Sequence, residues 1–247
     1  MNISKKTVLI TGGGSGIGHE TAKLLSAKGN KVLIIGRNGG KLERAANGLP
    51  GVSTFEADIT KKEDVIRLIE KIKTDYADLS VVINNAAAAN VYKHSNESDS
   101  FEKASEEINT NYLSVIRLNE ALLPLLKSRQ EAAIVNVTSL VAFAPVTVIP
   151  TYSDTKAALH SYTLTLRHTL AIDSSIKVFE LMPPLVNTEF SKEIGGEANG
   201  MPSHEVAQAL VDGIENDVFE IHVGQTKDFR EFFFSNPAEA FATLNQA

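Results

Sequence analysis

The chain contains no cysteine and no tryptophan. Without cysteine there is no disulfide framework, no thiolate nucleophile and no Cys-built metal site. The six histidines, His19, His94, His160, His168, His204 and His222, include no His-x-x-x-His pair, so no bound metal is expected. A basic surplus is also missing. The net charge is −6, the pI is near 5.6, and no run of Lys or Arg exceeds two residues, which argues against nucleic-acid binding. Long hydrophobic runs are absent too. Nothing approaches the ~20 apolar residues of a membrane span. The opening stretch Thr7–Thr11 is too short for the apolar core of a signal peptide. A soluble, cytoplasmic protein is expected, without nucleic-acid or membrane partners.

What is present is a chain of 247 residues with 43% hydrophobic and 22% charged residues, ordinary values for a globular protein. The length suits one α/β domain spanning 1–247. Short β-branched runs alternate with helical patterns. Strands are expected at 8–10, 32–35, 52–57, 79–83, 132–137, 176–181 and 219–223. Helices are expected at about 17–28, 40–48, 63–76, 101–127, 152–172 and 203–215, with a helical tail from 228. The run Val32-Leu33-Ile34-Ile35 is apolar on both faces, as a central parallel strand requires. The alternation predicts a single-domain, doubly wound (Rossmann-type) α/β sheet of about seven strands, mostly parallel, with helices on both faces. The Gly-rich stretch within 189–202 is the candidate mobile substrate loop.

Thr11-Gly12-Gly13-Gly14-Ser15-Gly16-Ile17-Gly18 joins the first strand to the first helix. Glycines there allow a sharp turn and close backbone approach to a pyrophosphate, while the helix start offers free N–H groups. Gly12, Gly14, Ser15, Gly16, Ile17 and Gly18 are therefore candidate cofactor contacts; a tight turn without ligand is the alternative. At the end of the second strand, where an acid would bind a ribose 2′-OH, stands Gly36, followed by Arg37. A guanidinium suits a 2′-phosphate, so NADP is favoured, with NAD possible. A solvated surface arginine is the plain alternative for Arg37.

Tyr152-Ser153-Asp154-Thr155-Lys156 places a phenol and an ammonium at i and i+4 on one helix face. A nearby positive charge favours the phenolate and would bring the tyrosine toward the range useful for acid/base work. The pair alone is a common surface accident. Ser139, thirteen residues earlier, follows the apolar strand Ile134–Val137 and sits at a carboxyl strand end, where open α/β sheets bind ligands. Asn111 lies within the preceding helix, where a buried amide needs partners. Glu102, Glu106 and Glu107 beside Lys103 read as a solvated helix face. His160 and His168 read as packing or surface groups.

These motifs, in this order, resemble those of the short-chain dehydrogenase/reductase family over essentially the whole chain. The glycine turn matches its Thr-Gly-x-x-x-Gly-x-Gly. Asn111, Ser139, Tyr152 and Lys156 match its catalytic tetrad. The resemblance implies that Tyr152 protonates a carbonyl oxygen as hydride arrives and that Ser139 polarises that carbonyl. Lys156 would bind the nicotinamide ribose and lower the Tyr152 pKa, and Asn111 would position a water. It also implies that Asp58, with Ile59, meets the adenine edge, although Asp58 as a helix N-cap fits equally. Asn84-Asn85-Ala86-Ala87 resembles the family's Asn-Asn-Ala-Gly, with Ala87 for glycine, which marks Asn85 and Ala86 as cofactor contacts. Met182-Pro183-Pro184-Leu185-Val186-Asn187-Thr188 resembles its Pro-Gly segment, with Pro184 for glycine, and marks Pro183, Val186 and Thr188. The segments 182–186 and 220–224 are also similar to bacterial relatives associated with teichoic-acid D-alanylation operons.

The implied reaction is hydride transfer between the dinucleotide and a small carbonyl or alcohol. An NAD-dependent alcohol or sugar dehydrogenase and a dinucleotide-binding regulator without turnover are the alternatives. The substrate pocket is expected near 88–94, 141–149 and 190–201, which are mostly small or apolar. The long helices 101–127 and 152–172 match the family's dimer-forming pair, and Leu118, Leu122, Leu125 and Leu126 are read as extra apolar surface there. A homodimer or homotetramer is expected.

Overall fold

The computed structural model describes residues 1–246. Seven strands form one parallel sheet: β1 (Thr7–Thr11), β2 (Lys31–Gly36), β3 (Val52–Glu56), β4 (Leu79–Asn84), β5 (Ala132–Val137), β6 (Ile176–Met182) and β9 (Glu220–His222). Their spatial order is β3-β2-β1-β4-β5-β6-β9, and every neighbouring pair runs parallel. The order reverses between β1 and β4, which opens a crevice at the carboxyl ends of those strands.

Alternate side chains of each strand supply two cores. Val8, Ile10, Val32, Ile34, Val135 and Phe179 meet Ala22 and Leu25 of α1 (Gly16–Ala27) and Leu210 of α8 (Ser203–Glu215). On the other face Leu9, Leu33, Val82, Ile134 and Val178 meet α3 (Lys62–Asp75), α5 (Ser114–Lys127) and α6 (Pro150–Asp173). The strands are covered on both sides, which is why their sequences are apolar at consecutive positions. α2 (Gly39–Ala46) follows β2, and α9 (Thr226–Ser235) and α10 (Pro237–Leu244) close the chain.

Three expectations change. The helix expected over 101–127 is two helices, α4 (Ser100–Ile108) and α5, joined by a π-helical turn at Asn109–Leu113. Such turns carry one extra residue and occur often at functional sites. Leu118, Leu122 and Leu126 do not face outward, because they pack against the sheet. The exposed apolar residues are instead Phe101 on α4, Leu113 in the π-helical turn, and Leu164 and Ile172 on α6. The 189–202 segment is also folded rather than plain loop. A 3₁₀ turn (Glu189–Ile194) leads to a single helical turn, α7 (Gly196–Asn199), and the two-residue strands β7 (Val186–Asn187) and β8 (Met201–Pro202) pair in parallel.

Candidate active site

The crevice at the strand-order reversal is a cleft of about 700 Å³. The glycine turn forms its floor. Gly12 and Gly16 have φ of +66° and +55°, which any side chain would strain. Gly18 lies so close to the incoming turn that a Cβ there would stand 2.5 Å from the Gly12 carbonyl oxygen and 2.6 Å from Asn85 Nδ2. Ser15 precedes α1 without making a side-chain cap, so no side chain caps the first-turn N–H groups. Asn85 braces the turn: its Nδ2 donates to the Thr11 and Gly12 carbonyls at 3.0 and 3.2 Å. Thr11 Oγ1 accepts from the backbone N–H groups of Asn85 and Ala86. β1 and β4 are thereby tied together beneath the cleft.

Of the expected cofactor contacts, Gly12, Gly14, Ser15, Gly16, Ile17, Arg37, Asp58, Ile59, Asn85, Ala86, Pro183, Val186 and Thr188 line the cleft. Gly18 lies behind it and acts through close packing. Asp58 Oδ1 accepts from the Thr60 backbone N–H and hydroxyl, at 3.0 and 2.7 Å, which closes the loop before α3. Its backbone N–H donates to Asp64, and the N-cap position of α3 falls on Lys61.

Ser139, Tyr152 and Lys156 line the other end of the same cleft. Ser139 leaves β5 in extended backbone; its Oγ accepts from the Val141 N–H at 3.3 Å and donates to the Pro183 carbonyl at 3.3 Å. Pro150 begins α6 at its first turn, where a missing N–H costs nothing, so Tyr152 and Lys156 fall on a well-set helix. Lys156 is 2% exposed; its Nζ donates to the Val137 carbonyl at 2.7 Å and lies 5.4 Å from the Tyr152 ring centroid. Burial lowers the Lys156 amine to about 7, against an opposing pull from the Glu180 carboxylate. Burial, with a contribution from the Glu107 carboxylate, pushes the Tyr152 phenol well above its usual range. In this geometry the expected lowering by Lys156 is absent, because the ammonium is directed at a backbone carbonyl.

Asn111 does not line the cleft. It stands in the π-helical turn, buried, with Oδ1 accepting from the Ala88 N–H and Nδ2 donating to the Ala88 carbonyl and Thr155 Oγ1, all at 2.8–2.9 Å. Thr155 Oγ1 in turn donates to the Tyr152 carbonyl. Asn111 thus ties the segment following Asn85 to the helix that carries Tyr152.

Two buried carboxylates enter from behind. Glu107, expected on a solvated face, is fully buried; it accepts from the Asn90 N–H at 2.6 Å and the Thr151 hydroxyl at 2.5 Å. The reason is position: the last turn of α4 runs against the 88–92 segment and the start of α6. Glu180, in the middle of β6, is also fully buried and meets Thr138 Oγ1 at 2.7 Å and His160 Nδ1 at 2.9 Å. His160 is thus paired rather than merely packed. A carboxylate amid the apolar run Val178-Phe179-Glu180-Leu181 was a readable signal, since a buried charge requires partners. The sequence held no comparable signal for Glu107.

The same cleft is lined by the apolar side chains of Ala87, Ala89, Val91, Val141, Ile149 and Leu185. Phe190 closes it, its ring centroid 5.8 Å from that of Tyr152. Among the described residues, no group of three or more His, Asp or Glu could hold a metal, and no helix is long and apolar enough to cross a membrane.

Residues 6–199 match the family model described as short chain dehydrogenase. An uncharacterized oxidoreductase, DltE, of Bacillus subtilis is 35% identical over 249 residues, covering 99% of this chain and 98% of that protein. An uncharacterized oxidoreductase of Staphylococcus aureus is 33% identical over 75% of this chain and 80% of its own. Among solved structures, a short chain dehydrogenase from Burkholderia cenocepacia in complex with NADP superposes with a TM-score of 0.86 at 24% identity, covering all of both chains. A 3-ketoacyl-(acyl-carrier-protein) reductase from Brucella melitensis complexed with NADH gives a TM-score of 0.79 at 26% identity, over 86% of this chain and 91% of its own.

Proposed function

This chain belongs to the short chain dehydrogenase family, and on that premise we propose that it reduces a carbonyl compound with a nicotinamide dinucleotide, NADPH in preference to NADH. One observation carries the reading: Ser139, Tyr152 and Lys156 meet on the wall of a cleft whose other end is the glycine turn and Arg37. The cradle fits a dinucleotide, because Gly12 and Gly16 line the cleft in positive-φ backbone that side chains strain, and Gly18 packs the turn tightly from behind. The NADP and NADH complexes of the Burkholderia and Brucella proteins support the same class of cofactor.

When bound, the reduced dinucleotide supplies the hydride. Ser139 Oγ holds the substrate carbonyl oxygen by a hydrogen bond. Tyr152 donates the proton to that oxygen. Burial holds the phenol in its protonated form at neutral pH, so the proton it would give is present on the side chain. Lys156, poised near neutrality, orients the ribose and supplies positive charge beside the phenol. Asn111 holds the backbone around Ala88 and Tyr152 in register, and through it a water in the proton relay. Arg37 takes the 2′-phosphate, with Asp58 and Ile59 at the adenine and Pro183, Val186 and Thr188 at the nicotinamide end. The apolar wall favours a neutral, hydrophobic substrate, over which the 189–202 segment closes. The enzyme works in the cytoplasm as a homodimer or homotetramer built on α5 and α6, where Leu113 just before α5 and Leu164 and Ile172 on α6 are exposed.

The test is a carbonyl panel with NADPH and NADH on the wild type and Tyr152→Phe. Turnover of at least one carbonyl is expected, falling by about a thousandfold in Tyr152→Phe, with dinucleotide binding kept. If no carbonyl is reduced, or the variant keeps full activity, the reading fails. Arg37→Ala should weaken NADPH binding and spare NADH; equal loss of both removes the 2′-phosphate assignment.

A further inference from the structure

The cleft is crossed at its mouth by an ion pair. Lys41, in the first turn of α2, places its Nζ 2.6 Å from Oε2 of Glu189, the first residue of the 3₁₀ turn on the substrate side. Both residues line the cleft, as do Arg37 and Asn38. The two ends of the pair differ in how firmly they are held. Asn38 Oδ1 accepts from the Lys41 backbone N–H at 2.9 Å, which anchors the start of α2 while the lysine side chain keeps its full reach. Gly14 leaves the passage open: a Cβ there would touch Lys41 Cγ at 3.5 Å. The side chains are 37% and 76% exposed, so the pair is weak and readily exchanged. Lys41 Nζ has no other hydrogen-bond partner among the described residues.

A lysine that reaches over a phosphate-binding turn, close in sequence to an arginine suited to a 2′-phosphate, is placed to bind the same anion. A phosphate monoester carries close to two charges and three acceptor oxygens. It outcompetes one solvated carboxylate for an ammonium, and it can take Arg37 and Lys41 together. We propose that Lys41 is a second 2′-phosphate recognition residue that changes partner, held by Glu189 as seen here and by the phosphate of a phosphorylated dinucleotide when that ligand binds. The proposal rests on the dinucleotide reading of the cleft.

The exchange has a second consequence. Glu189 immediately precedes Phe190, whose ring stands against Tyr152. Loss of the ion pair releases the start of the segment that covers the acid/base. NADH, lacking the phosphate, leaves the pair in place. The cofactor's 2′ substituent is thus sensed at the far end of the cleft.

The experiment is equilibrium titration with NADPH and with NADH, followed by reduced-nicotinamide fluorescence, on the wild type, Lys41→Met, Glu189→Gln and the double variant. All substitutions are on exposed side chains, and thermal melts check that each protein is folded. Lys41→Met should weaken NADPH by about tenfold and leave NADH unchanged. Glu189→Gln should tighten NADPH by about threefold, by removing the competitor, and should have no effect in the Lys41→Met background. Equal weakening of both dinucleotides would assign Lys41 to the pyrophosphate and overturn the proposal. So would an unchanged NADPH affinity in Lys41→Met, or a Glu189→Gln effect that persists without Lys41. These outcomes leave the dinucleotide reading intact. A wild type that binds neither dinucleotide overturns both.

Discussion

The two ends of the cleft are built from different materials. The glycine-turn end, β1 to α3, is made of backbone. Its geometry comes from Gly12, Gly16 and Gly18, from the carbonyls of Thr11 and Gly12, and from a helix start that no side chain caps. The end lined by Ser139, Tyr152 and Lys156, α4 to β6, is made of buried charge. Glu107 and Glu180 are fully enclosed and Lys156 nearly so; Asn90 and Thr151 satisfy Glu107, Thr138 and His160 satisfy Glu180, and Lys156 donates to the Val137 carbonyl. A backbone site tolerates no added atoms but has little to titrate. A site of buried charges tolerates isosteric changes sterically yet responds strongly to pH and to loss of one partner.

The contrast is sharpest at Gly18. Gly18→Ala drives a methyl into the Gly12 carbonyl and Asn85. It should weaken NADPH and NADH alike by about a hundredfold, as overpacking by ~1–3 kcal/mol implies; fluorescence titration of both checks this, and an unshifted affinity would show that the turn has slack. At the other end, Glu180→Gln keeps the shape and removes the charge. Glu180 raises the Lys156 amine against burial, so its loss lowers that amine further below about 7 and leaves less of it charged at neutral pH. Turnover at pH 7 should fall by about fivefold and recover toward pH 6. A pH–rate profile that stays put would deny the charge its role.

A smaller effect concerns stability. The Lys156 amine titrates near 7 in the folded chain and at 10.5 ordinarily. Between those values the unfolded chain holds a proton that the folded chain lacks, so this residue makes stability rise with pH across the window, by up to about 1.4 kcal/mol per pH unit. Lys156→Met should flatten the rise of melting temperature between pH 7 and pH 9; an unchanged slope would mean the amine is solvated. The smallest change is at the C-terminal helix. Asn245 accepts from the Thr147 N–H at 2.7 Å and donates to the Pro145 carbonyl at 3.0 Å, pinning the loop between Ser139 and Tyr152. Asn245→Ala should cost about 0.5–1 kcal/mol in a denaturant melt, with no change in dinucleotide affinity.

The same division governs what could be read from the chain. The inner strands β1, β2, β4, β5 and β6 and the parallel topology follow from two-faced apolar runs, while the two-residue strands β7 and β8 are too short to leave a pattern; the glycine turn announces itself because its glycines cluster between β1 and α1. Ser139, Tyr152 and Lys156 are legible because each falls at a strand end or on one helix face. What escaped reading depends on contacts made across long separations. Glu107 looks like its solvated neighbours Glu102 and Glu106 until α4 is placed against residues 88–92. Lys41 looks like an ordinary helix lysine until the 3₁₀ turn that carries Glu189, 148 residues later, is folded over it. The π-helical turn leaves no periodic trace, because one extra residue in a helix of that length still gives a plausible amphipathic pattern.

That extra residue is absorbed where it stands. A π-helical turn spends more residues on a turn than an α-helix does, so Asn109–Leu113 holds one residue more than an α-helical joint of the same rotation would. Removing one residue there would let the joint become α-helical with α4 and α5 both left docked, and Glu107 would keep its enclosure beside Thr151 and Asn90. What would be lost is the bulge that carries the Asn111 amide to Ala88 and Thr155. Length variation at Asn109–Leu113 is thus a route by which relatives with the same fold come to differ in the tie between residue 88 and the helix that carries Tyr152.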